Sequence, residues 1–174
     1  TDPLGRTSGF QYDERGNLIS LRDEISSSSR LIEAILSNPA EIDEYVFKAM
    51  PGQRLIVDGL ESTDGLARIS ISGDFVPYSD QFHPTSSVQL GALDYGIYIF
   101  PRGGDLKIQI RADLSSSGPS SPIHYRFRLL DLSNAIPIEP DNWIEGINEF
   151  AGGTTLYQFQ GLAGQELAGQ WRSE

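Results

Sequence analysis

The amino-acid sequence predicts an all-β protein: an antiparallel β-sandwich of jelly-roll-like architecture, followed by a partial second copy of the same unit. Three observations support this fold class. Apolar and polar residues alternate with period two along several segments, turn-forming pairs separate those segments, and one block of sequence recurs later in the chain. Glycine (18) and proline (10) are frequent among the 174 residues, as expected for short strands joined by turns.

The alternation is clearest in four segments: residues 67–71, 106–110, 123–129 and 95–99, the last with Tyr95, Ile97 and Ile99 on one face. Such a pattern places one face of a strand in a core and the other in water. We therefore expect each of these segments to form a strand that is buried on one side.

Residues 30–37 fit either a helix or a strand, because their apolar residues have helical spacing. The second copy has Gly146 and Asn148 where the first has Ala34 and Leu36, and both residues weaken a helix. We therefore predict a short strand in both copies.

The repeat consists of three pairs of similar segments, and in each pair the second segment begins 112 residues after the first. The pairs are Ile32-Glu33-Ala34-Ile35 with Ile144-Glu145-Gly146-Ile147, Tyr45-Val46-Phe47 with Tyr157-Gln158-Phe159, and Gly52-Gln53-Arg54-Leu55 with Gly164-Gln165-Glu166-Leu167. We expect three parts: a hairpin-like tail over residues 1–25, a complete sandwich over 26–134, and a partial second copy over 135–174.

The partial copy is too short to bury a core alone. It must be continued by further sequence, pack on the first unit, or be completed by another chain. Strand edges around residues 156–160 predict partners that add a strand, either neighbouring repeats or other copies of the chain, which would give head-to-tail polymers.

Composition excludes several functions. Lys and Arg number 13 against 24 Asp and Glu, a net charge of −11, so the surface repels nucleic-acid phosphates and anionic lipid headgroups. No apolar run is long enough to span a bilayer, and we predict no membrane insertion. The absence of cysteine excludes disulfides, Cys-ligated zinc and thiol catalysis. With two histidines and no Gly-x-Ser-x-Gly motif, we predict that the chain is not an enzyme.

The segment Phe10-Gln11-Tyr12-Asp13-Glu14-Arg15-Gly16-Asn17-Leu18 predicts a β-hairpin, because Asp and Asn accept tight-turn geometry and Gly supplies positive φ. It resembles the end of a YD repeat of the Rhs type.

A second resemblance covers most of the remaining chain. Glu41-Ile42-Asp43-Glu44-Tyr45-Val46-Phe47, followed by Pro51-Gly52-Gln53-Arg54-Leu55, is similar to the opening of bacterial pre-peptidase C-terminal (PPC) domains. The later segment 125–132 resembles the closing strand of such units in tandem arrays of very large surface proteins. The resemblance implies an extracellular or cell-surface β-sandwich that is non-catalytic and serves adhesion, binding or spacing. Some relatives bind calcium, and some collagenase relatives bind collagen.

Calcium is the one cofactor that the sequence leads us to consider. It prefers six to eight oxygen ligands at ~2.3–2.6 Å. Glu41 and Asp43 are two positions apart and would point to one side of a strand, and Asp58 and Asp64 would approach from the next hairpin. These four carboxylates are the candidate metal ligands, and the alternative is that they are solvated charges at strand ends.

We therefore predict a repeat module of a large bacterial surface or secreted protein, acting in adhesion, spacing, or filament or array assembly. The alternative is an accessory module that binds a glycan or a matrix protein for a secreted enzyme. Exposed aromatic residues would serve that role, although a core position is the commoner use of such side chains. The candidates are Tyr78, Phe82, Tyr98, Trp143 and Trp171.

Overall fold

A computed structural model describes residues 9–16, 18–25, 31–62, 67–77, 88–90, 96–113, 122–139, 144 and 153–164. Within these residues the regular structure is β, apart from one 3-10 turn over Leu132–Asn134. The strands are β1 (Gly9–Tyr12), β2 (Leu18–Ile25), β3 (Leu31–Leu36), β4 (Ile42–Ala49), β5 (Gln53–Ser62), β6 (Ala67–Gly73), β7 (Val76–Pro77), β8 (Val88–Gln89), β9 (Ile97–Phe100), β10 (Gly104–Ala112), β11 (Ile123–Asp131), β12 (Ile136–Pro137) and β13 (Tyr157–Gln158).

Two sheets form the sandwich. The six-stranded sheet has the order β1-β2-β4-β10-β6-β8, and the five-stranded sheet has the order β3-β11-β5-β9-β7. Pairing is antiparallel throughout, except that β2 runs parallel to β4. β12 and β13 form a separate parallel pair. The predicted all-β sandwich is confirmed.

The core lies between the two sheets and draws on every long strand of both except β2, whose side chains are not described. Its largest fully buried side chains are aromatic, namely Tyr45, Tyr98, Phe100, Tyr125 and Phe127. The Tyr45 and Phe127 rings meet edge to face across the two sheets, with centroids 5.1 Å apart. Burying a side chain of this size contributes about 1.5–3 kcal/mol relative to exposure, so each of these residues contributes substantially to stability.

The strands predicted from alternation are present, with their apolar residues in the core, in β6, β10 and β11. β3 confirms that the ambiguous segment of the first copy is a strand. In β9 the core face is the opposite of the one predicted: Tyr98 and Phe100 are buried, whereas Ile97 and Ile99 are partly exposed. Tyr95, the third residue of the predicted face, lies outside the described residues. Both faces of β9 are apolar, so period two could not choose between them, and Phe75 settles the choice by packing edge to face against Tyr98.

In the Pro51-Gly52-Gln53 turn between β4 and β5, the structure explains why glycine and glutamine occupy the last two positions. Gly52 has φ 81°, a conformation that side chains with a Cβ disfavour, and its N–H donates to the Phe100 carbonyl at 2.7 Å. The Gln53 side chain accepts from the Met50 N–H at 2.9 Å and donates to the Asp131 carboxylate at 2.5 Å. The motif therefore both closes the hairpin and ties it to the end of β11.

Among the described residues there is no helix with the length and apolar character needed to cross a membrane.

Candidate interface between repeated units

The N-terminal hairpin is part of the sandwich rather than a separate appendage. β1 pairs with β2, and β2 then pairs in parallel with β4 over six positions, from Ser20 opposite Ile42 to Ile25 opposite Phe47. The hairpin thus supplies two of the six strands of that sheet, β1 and β2. Sequence leading into the unit supplies that unit's outer strands.

The same arrangement recurs at the start of the second copy. β12 follows the end of the first unit and pairs in parallel with β13, with Ile136 opposite Tyr157. Two backbone bonds extend this pairing beyond the strand ends: Ile136 N–H to the Leu156 carbonyl at 2.9 Å, and Ile138 N–H to the Gln158 carbonyl at 2.8 Å. In the first unit the equivalent tyrosine, Tyr45, lies opposite Asp23. Asp23 precedes Tyr45 by 22 residues, and Ile136 precedes Tyr157 by 21. The strand that leads into each copy therefore pairs with the tyrosine segment at almost the same distance along the chain.

The turn of the second copy also reproduces the first. Gly164 has φ 83°, against 81° for its equivalent Gly52. A turn follows the Tyr-x-Phe segment at the same distance in both copies. These shared features support the predicted duplication. Of the second-copy block equivalent to β3, the structure describes Ile144 alone.

Burial is where the two copies differ. Ile32, Tyr45 and Phe47 are 7%, 2% and 5% exposed, whereas their equivalents Ile144, Tyr157 and Phe159 are 44%, 40% and 45% exposed. In the first unit β4 lies between β2 and β10. Within the described part of the chain, β13 pairs with β12 alone. Residues that lie in the core of the first unit thus have equivalents in the second copy that are exposed to solvent.

An ion pair holds the second copy against the first unit. Asp58 of β5 and Arg128 of β11 lie directly opposite each other, and the Asp58 carboxylate accepts from Arg128 Nε at 2.8 Å. The same carboxylate oxygen accepts from the Thr154 N–H at 3.2 Å, and Arg128 Nη2 donates to the Thr154 carbonyl at 2.9 Å. We call this arrangement the Asp58–Arg128 clamp. It binds both backbone polar groups of one second-copy residue.

The clamp lies on the outer face of the five-stranded sheet. Val57 and Leu129 point into the core, so their neighbours Asp58 and Arg128 point away from it. Asp58 is nevertheless fully buried, and Arg128 is largely buried. A buried ion pair needs further hydrogen bonds to offset its desolvation, and here the Thr154 backbone supplies them.

Asp43 has a different role, in a hydrogen-bonded chain inside the core. The Tyr125 hydroxyl donates to the Asp43 carboxylate, and the Tyr45 hydroxyl lies 2.6 Å from that of Tyr125. Because Tyr125 has one proton, Tyr45 must be the donor between the two phenols. Burial raises the pKa of Tyr125, and the neighbouring Tyr45 and Asp43 raise it further. The phenol therefore stays protonated and satisfies a carboxylate that would otherwise be costly to bury.

The four predicted calcium ligands are not all brought together. Glu41 and Asp43 are both buried at the start of β4, and Glu41 Oε2 accepts from the Ser37 N–H at 2.5 Å. Glu41 Oε1 has no hydrogen-bond partner among the described residues. Asp58 lies on the outer face of the five-stranded sheet, away from Glu41 and Asp43, and is bound to Arg128. Asp64 lies outside the described residues.

No group of three or more His, Asp or Glu side chains in the described part of the chain has an arrangement that could hold a metal ion. Calcium binding at the four positions stays a prediction. Its test is the melting temperature of the protein with added calcium and with chelator.

A groove of about 490 Å³ lies further along the outer face of the five-stranded sheet. Arg126 forms ion pairs there with Glu61 and with Glu33, the latter at 3.5 Å. His124, Ala34, Tyr125 and the exposed Ile35 also line the groove. The groove offers a cation between two carboxylates beside an apolar side chain. Of the aromatic residues considered for glycan binding, Tyr98 is in the core, and the other four lie outside the described residues.

Arg128, Tyr125 and Thr154 are residues of these sites that the sequence did not predict. Arg128 occupies the polar face of an alternating strand, where a solvated charge is the ordinary expectation. Its partner Asp58 is 70 residues away, so no local pattern connects the two. The one available signal was that an Asp interrupts the apolar run of β5.

At the N-terminus, residues 1–24 match the family model of the RHS repeat. This segment contains β1 and all but the last residue of β2. The match confirms the resemblance predicted for the hairpin. No curated protein matches the chain.

Several solved structures resemble the sandwich. One is a periplasmic inhibitor of g-type lysozyme from Aeromonas hydrophila, with TM-score 0.44 and 15% identity, covering 64% of this chain and 97% of that one. A mutant of the Escherichia coli inhibitor has TM-score 0.37 and 18% identity, covering 61% and 95%. The pre-peptidase C-terminal domain of a Bacillus anthracis collagenase has TM-score 0.36 and 12% identity, covering 62% and 93%. The family suspected from the sequence is thus among the similar structures.

Proposed function

We propose that the chain is a non-catalytic structural segment of a large extracellular or cell-surface protein, in which a sandwich unit joins an RHS-repeat region to a second unit of its own kind. Its role is adhesion, spacing or array assembly. Its partners are the neighbouring repeats, which it meets through strand edges.

The observation that carries this proposal is the repeated parallel strand pair. β2 leads into the first unit and pairs with β4, and β12 leads into the second copy and pairs with β13. A linker that is itself a paired strand has backbone hydrogen bonds at each junction, and these restrict the relative motion that a flexible linker would allow between successive units. Rigid spacing is what an extended surface array needs.

The Asp58–Arg128 clamp supports the same role. It fixes the Thr154 backbone from both sides, at the residue three positions before the equivalent of Tyr45. The charge of −11 adds repulsion between arrays at low salt.

Amide hydrogen exchange on the whole chain tests the rigid junction. An Arg128→Met variant removes the hydrogen bond to the Thr154 carbonyl and also the cation that holds the Asp58 carboxylate, which accepts from the Thr154 N–H. The Thr154 amide should therefore exchange about ten- to hundredfold faster, since one charge-assisted hydrogen bond is worth about 1.5–3 kcal/mol. The matched control is Arg126→Met, two residues along the same face, whose glutamate partners are exposed. That variant should leave Thr154 unchanged. Equal effects in both variants, or no effect in either, would contradict the proposal of a rigid junction.

Location is tested on cells that make the parent protein. Antibodies raised against this chain should label unpermeabilised cells or the secreted fraction. Labelling only after permeabilisation would contradict an extracellular role.

The groove beside Arg126 favours a second candidate function, an accessory module that binds a glycan or matrix protein. Paired charges and an exposed apolar side chain suit a ligand with hydroxyl groups and an apolar face. Binding to a glycan and collagen panel should saturate, and an Ile35→Asp variant should abolish it. An Ile144→Asp variant, equally exposed but outside the groove, serves as the control.

A further inference from the structure

We propose that the groove beside Arg126 binds a lysine or arginine side chain of a basic polypeptide segment, with the cation at Glu33 and the aliphatic stem on Ile35. This inference rests on the second candidate function proposed above, an accessory binding module. It names the chemistry of the ligand, a positively charged polypeptide rather than an uncharged glycan.

Three charged side chains of the groove form one row across the five-stranded sheet. Arg126 of β11 lies directly opposite Glu33 of β3 on one side and Glu61 of β5 on the other. All three point to the outer face, because Tyr125 and Phe127 on either side of Arg126 are buried in the core. Two carboxylates thus share one guanidinium, and the row keeps one negative charge at neutral pH.

A β-bulge in β5 brings Glu61 into this row. Phe127 lies opposite Gly59, and its neighbour Arg126 lies opposite Glu61. Leu60 is therefore the extra residue. In an unbroken register Leu60 would lie opposite Arg126, and Glu61 would face the core. Bulges that re-aim a side chain in this way are over-represented next to active sites.

The carboxylates of the row can accept a further cation. The side chains of Glu33 and Glu61 are each 59% exposed, whereas that of Arg126 is 35% exposed. The contact between Arg126 Nη1 and Glu33 Oε1 is long, at 3.5 Å. Because an ionised carboxylate has about four acceptor sites, Glu33 can bind a second donor that approaches from solvent.

Ile35 supplies apolar surface beside Glu33. The two residues are two positions apart on β3, so they share a face at a spacing of about 6.5–7 Å. Ile35 is 43% exposed. A lysine or arginine can lay its methylene stem on such a side chain while its charged end reaches the carboxylate. The groove volume of about 490 Å³ is sufficient for a side chain of this size.

The same two residues recur in the second copy. Glu145 and Ile147 stand 112 residues after Glu33 and Ile35. Packing in the core does not account for this recurrence, because both residues of the first copy are exposed. A repeated surface pair favours a contact that each unit makes with the same kind of ligand. One such site per unit would hold a polypeptide at several points and increase its avidity.

The charge of the whole chain favours the same ligand. A net charge of −11 attracts basic segments and repels acidic ones, and the charged row of the groove has the same sign. The local and the overall electrostatic attraction therefore act together on a cation. An uncharged glycan gains from neither.

Fluorescence anisotropy with synthetic peptides tests the inference on the whole chain. One probe is a dye-labelled hexapeptide of alternating valine and lysine. The other is the same peptide with every lysine acetylated, which keeps the stem and removes the charge. The lysine peptide should bind saturably, and the acetylated peptide should bind about tenfold more weakly because its ion pairs are lost.

Variants of the chain locate the site. Glu33→Gln should weaken binding of the lysine peptide about fivefold, the effect of one exposed ion pair at the upper end of its range. The matched control is Glu44→Gln, which removes the same charge from the outer face of the six-stranded sheet, where Glu44 accepts from Gln109. The control should change binding by less than about twofold, because exposed charges so far from the groove are screened by salt.

Three results would overturn the inference: equal weakening by the two variants, equal binding of the two peptides, or no saturable binding of the lysine peptide. The glycan and collagen panel distinguishes this failure from failure of the proposed function. Panel binding that Ile35→Asp abolishes would leave the accessory module standing with an uncharged ligand.

Discussion

The two copies of the Tyr-x-Phe segment share backbone geometry and differ in burial. Both have a parallel leading strand and a glycine turn with φ near 80°. In the first copy the segment is in the core, and in the second its side chains are exposed. Local sequence is sufficient for the turn and for pairing with the leading strand. Burial requires a partner strand that enters the chain some sixty residues later, as β10 does for β4.

The largest effect expected from this comparison is on the two phenylalanines. Phe47→Ala should lower the free energy of unfolding by about 3–5 kcal/mol, because it removes a buried ring and leaves a cavity. Phe159→Ala should change it by less than about 0.5 kcal/mol, as for other exposed positions. Urea denaturation of both variants measures the difference. Similar losses would mean that the second copy shares the core of the first.

The tyrosines give a smaller contrast. Tyr125→Phe deletes the proton that is donated to buried Asp43, so it should cost about 1–3 kcal/mol of unfolding free energy. Tyr157→Phe, at the exposed equivalent of Tyr45, should cost almost nothing. Thermal melts at neutral pH distinguish the two. A stable Tyr125→Phe protein would show that Asp43 is protonated or solvated.

Much of the fold could be predicted from the sequence because its signals are local. Each of these signals is contained in a segment of about ten residues or fewer, as in the alternation of β6, β10 and β11 and in the turn at Gly52. The core face of β9 could not be predicted, since both of its faces are apolar and Phe75 makes the choice through packing.

The candidate sites depend on contacts between distant residues, and there prediction was weaker. Asp58 attracted attention as a carboxylate, but its partner lies 70 residues away. A buried ion pair and a calcium ligand are alike in sequence, because both are an acidic residue in an apolar strand. Only the opposing strand distinguishes them.

The two turn glycines should show an effect of about 1 kcal/mol, the cost of left-handed backbone for a residue with a Cβ. An added Cβ at Gly52 or Gly164 would meet nothing within 4 Å, so strain is the sole penalty. Gly52→Ala should therefore lower the global unfolding free energy by that amount. Gly164→Ala should leave global unfolding unchanged and increase hydrogen exchange within residues 160–164. A global loss from Gly164→Ala would show that the second-copy turn unfolds together with the sandwich.

The smallest effect concerns pH and the turn residue Gln53. Partial burial works to raise the pKa of Asp131, but hydrogen bonds from Gln53 and Ser133 and the nearby Arg54 outweigh it and lower the pKa below its ordinary 3.8. A carboxyl with a lowered folded pKa adds stability above pH 3.8, and that stability is lost as pH falls through the folded value. Gln53→Ala should therefore lower the free energy of unfolding at pH 7. The difference in this free energy between the variant and the parent should become smaller below pH 3.8. Gln165→Ala, at the equivalent position of the second copy by the 112-residue offset, should follow the parent curve throughout. Urea midpoints measured from pH 7 to pH 2.5 would show whether the Pro-Gly-Gln motif stabilises a unit through its closing strand. A difference in midpoint between Gln53→Ala and the parent that does not change with pH would contradict this.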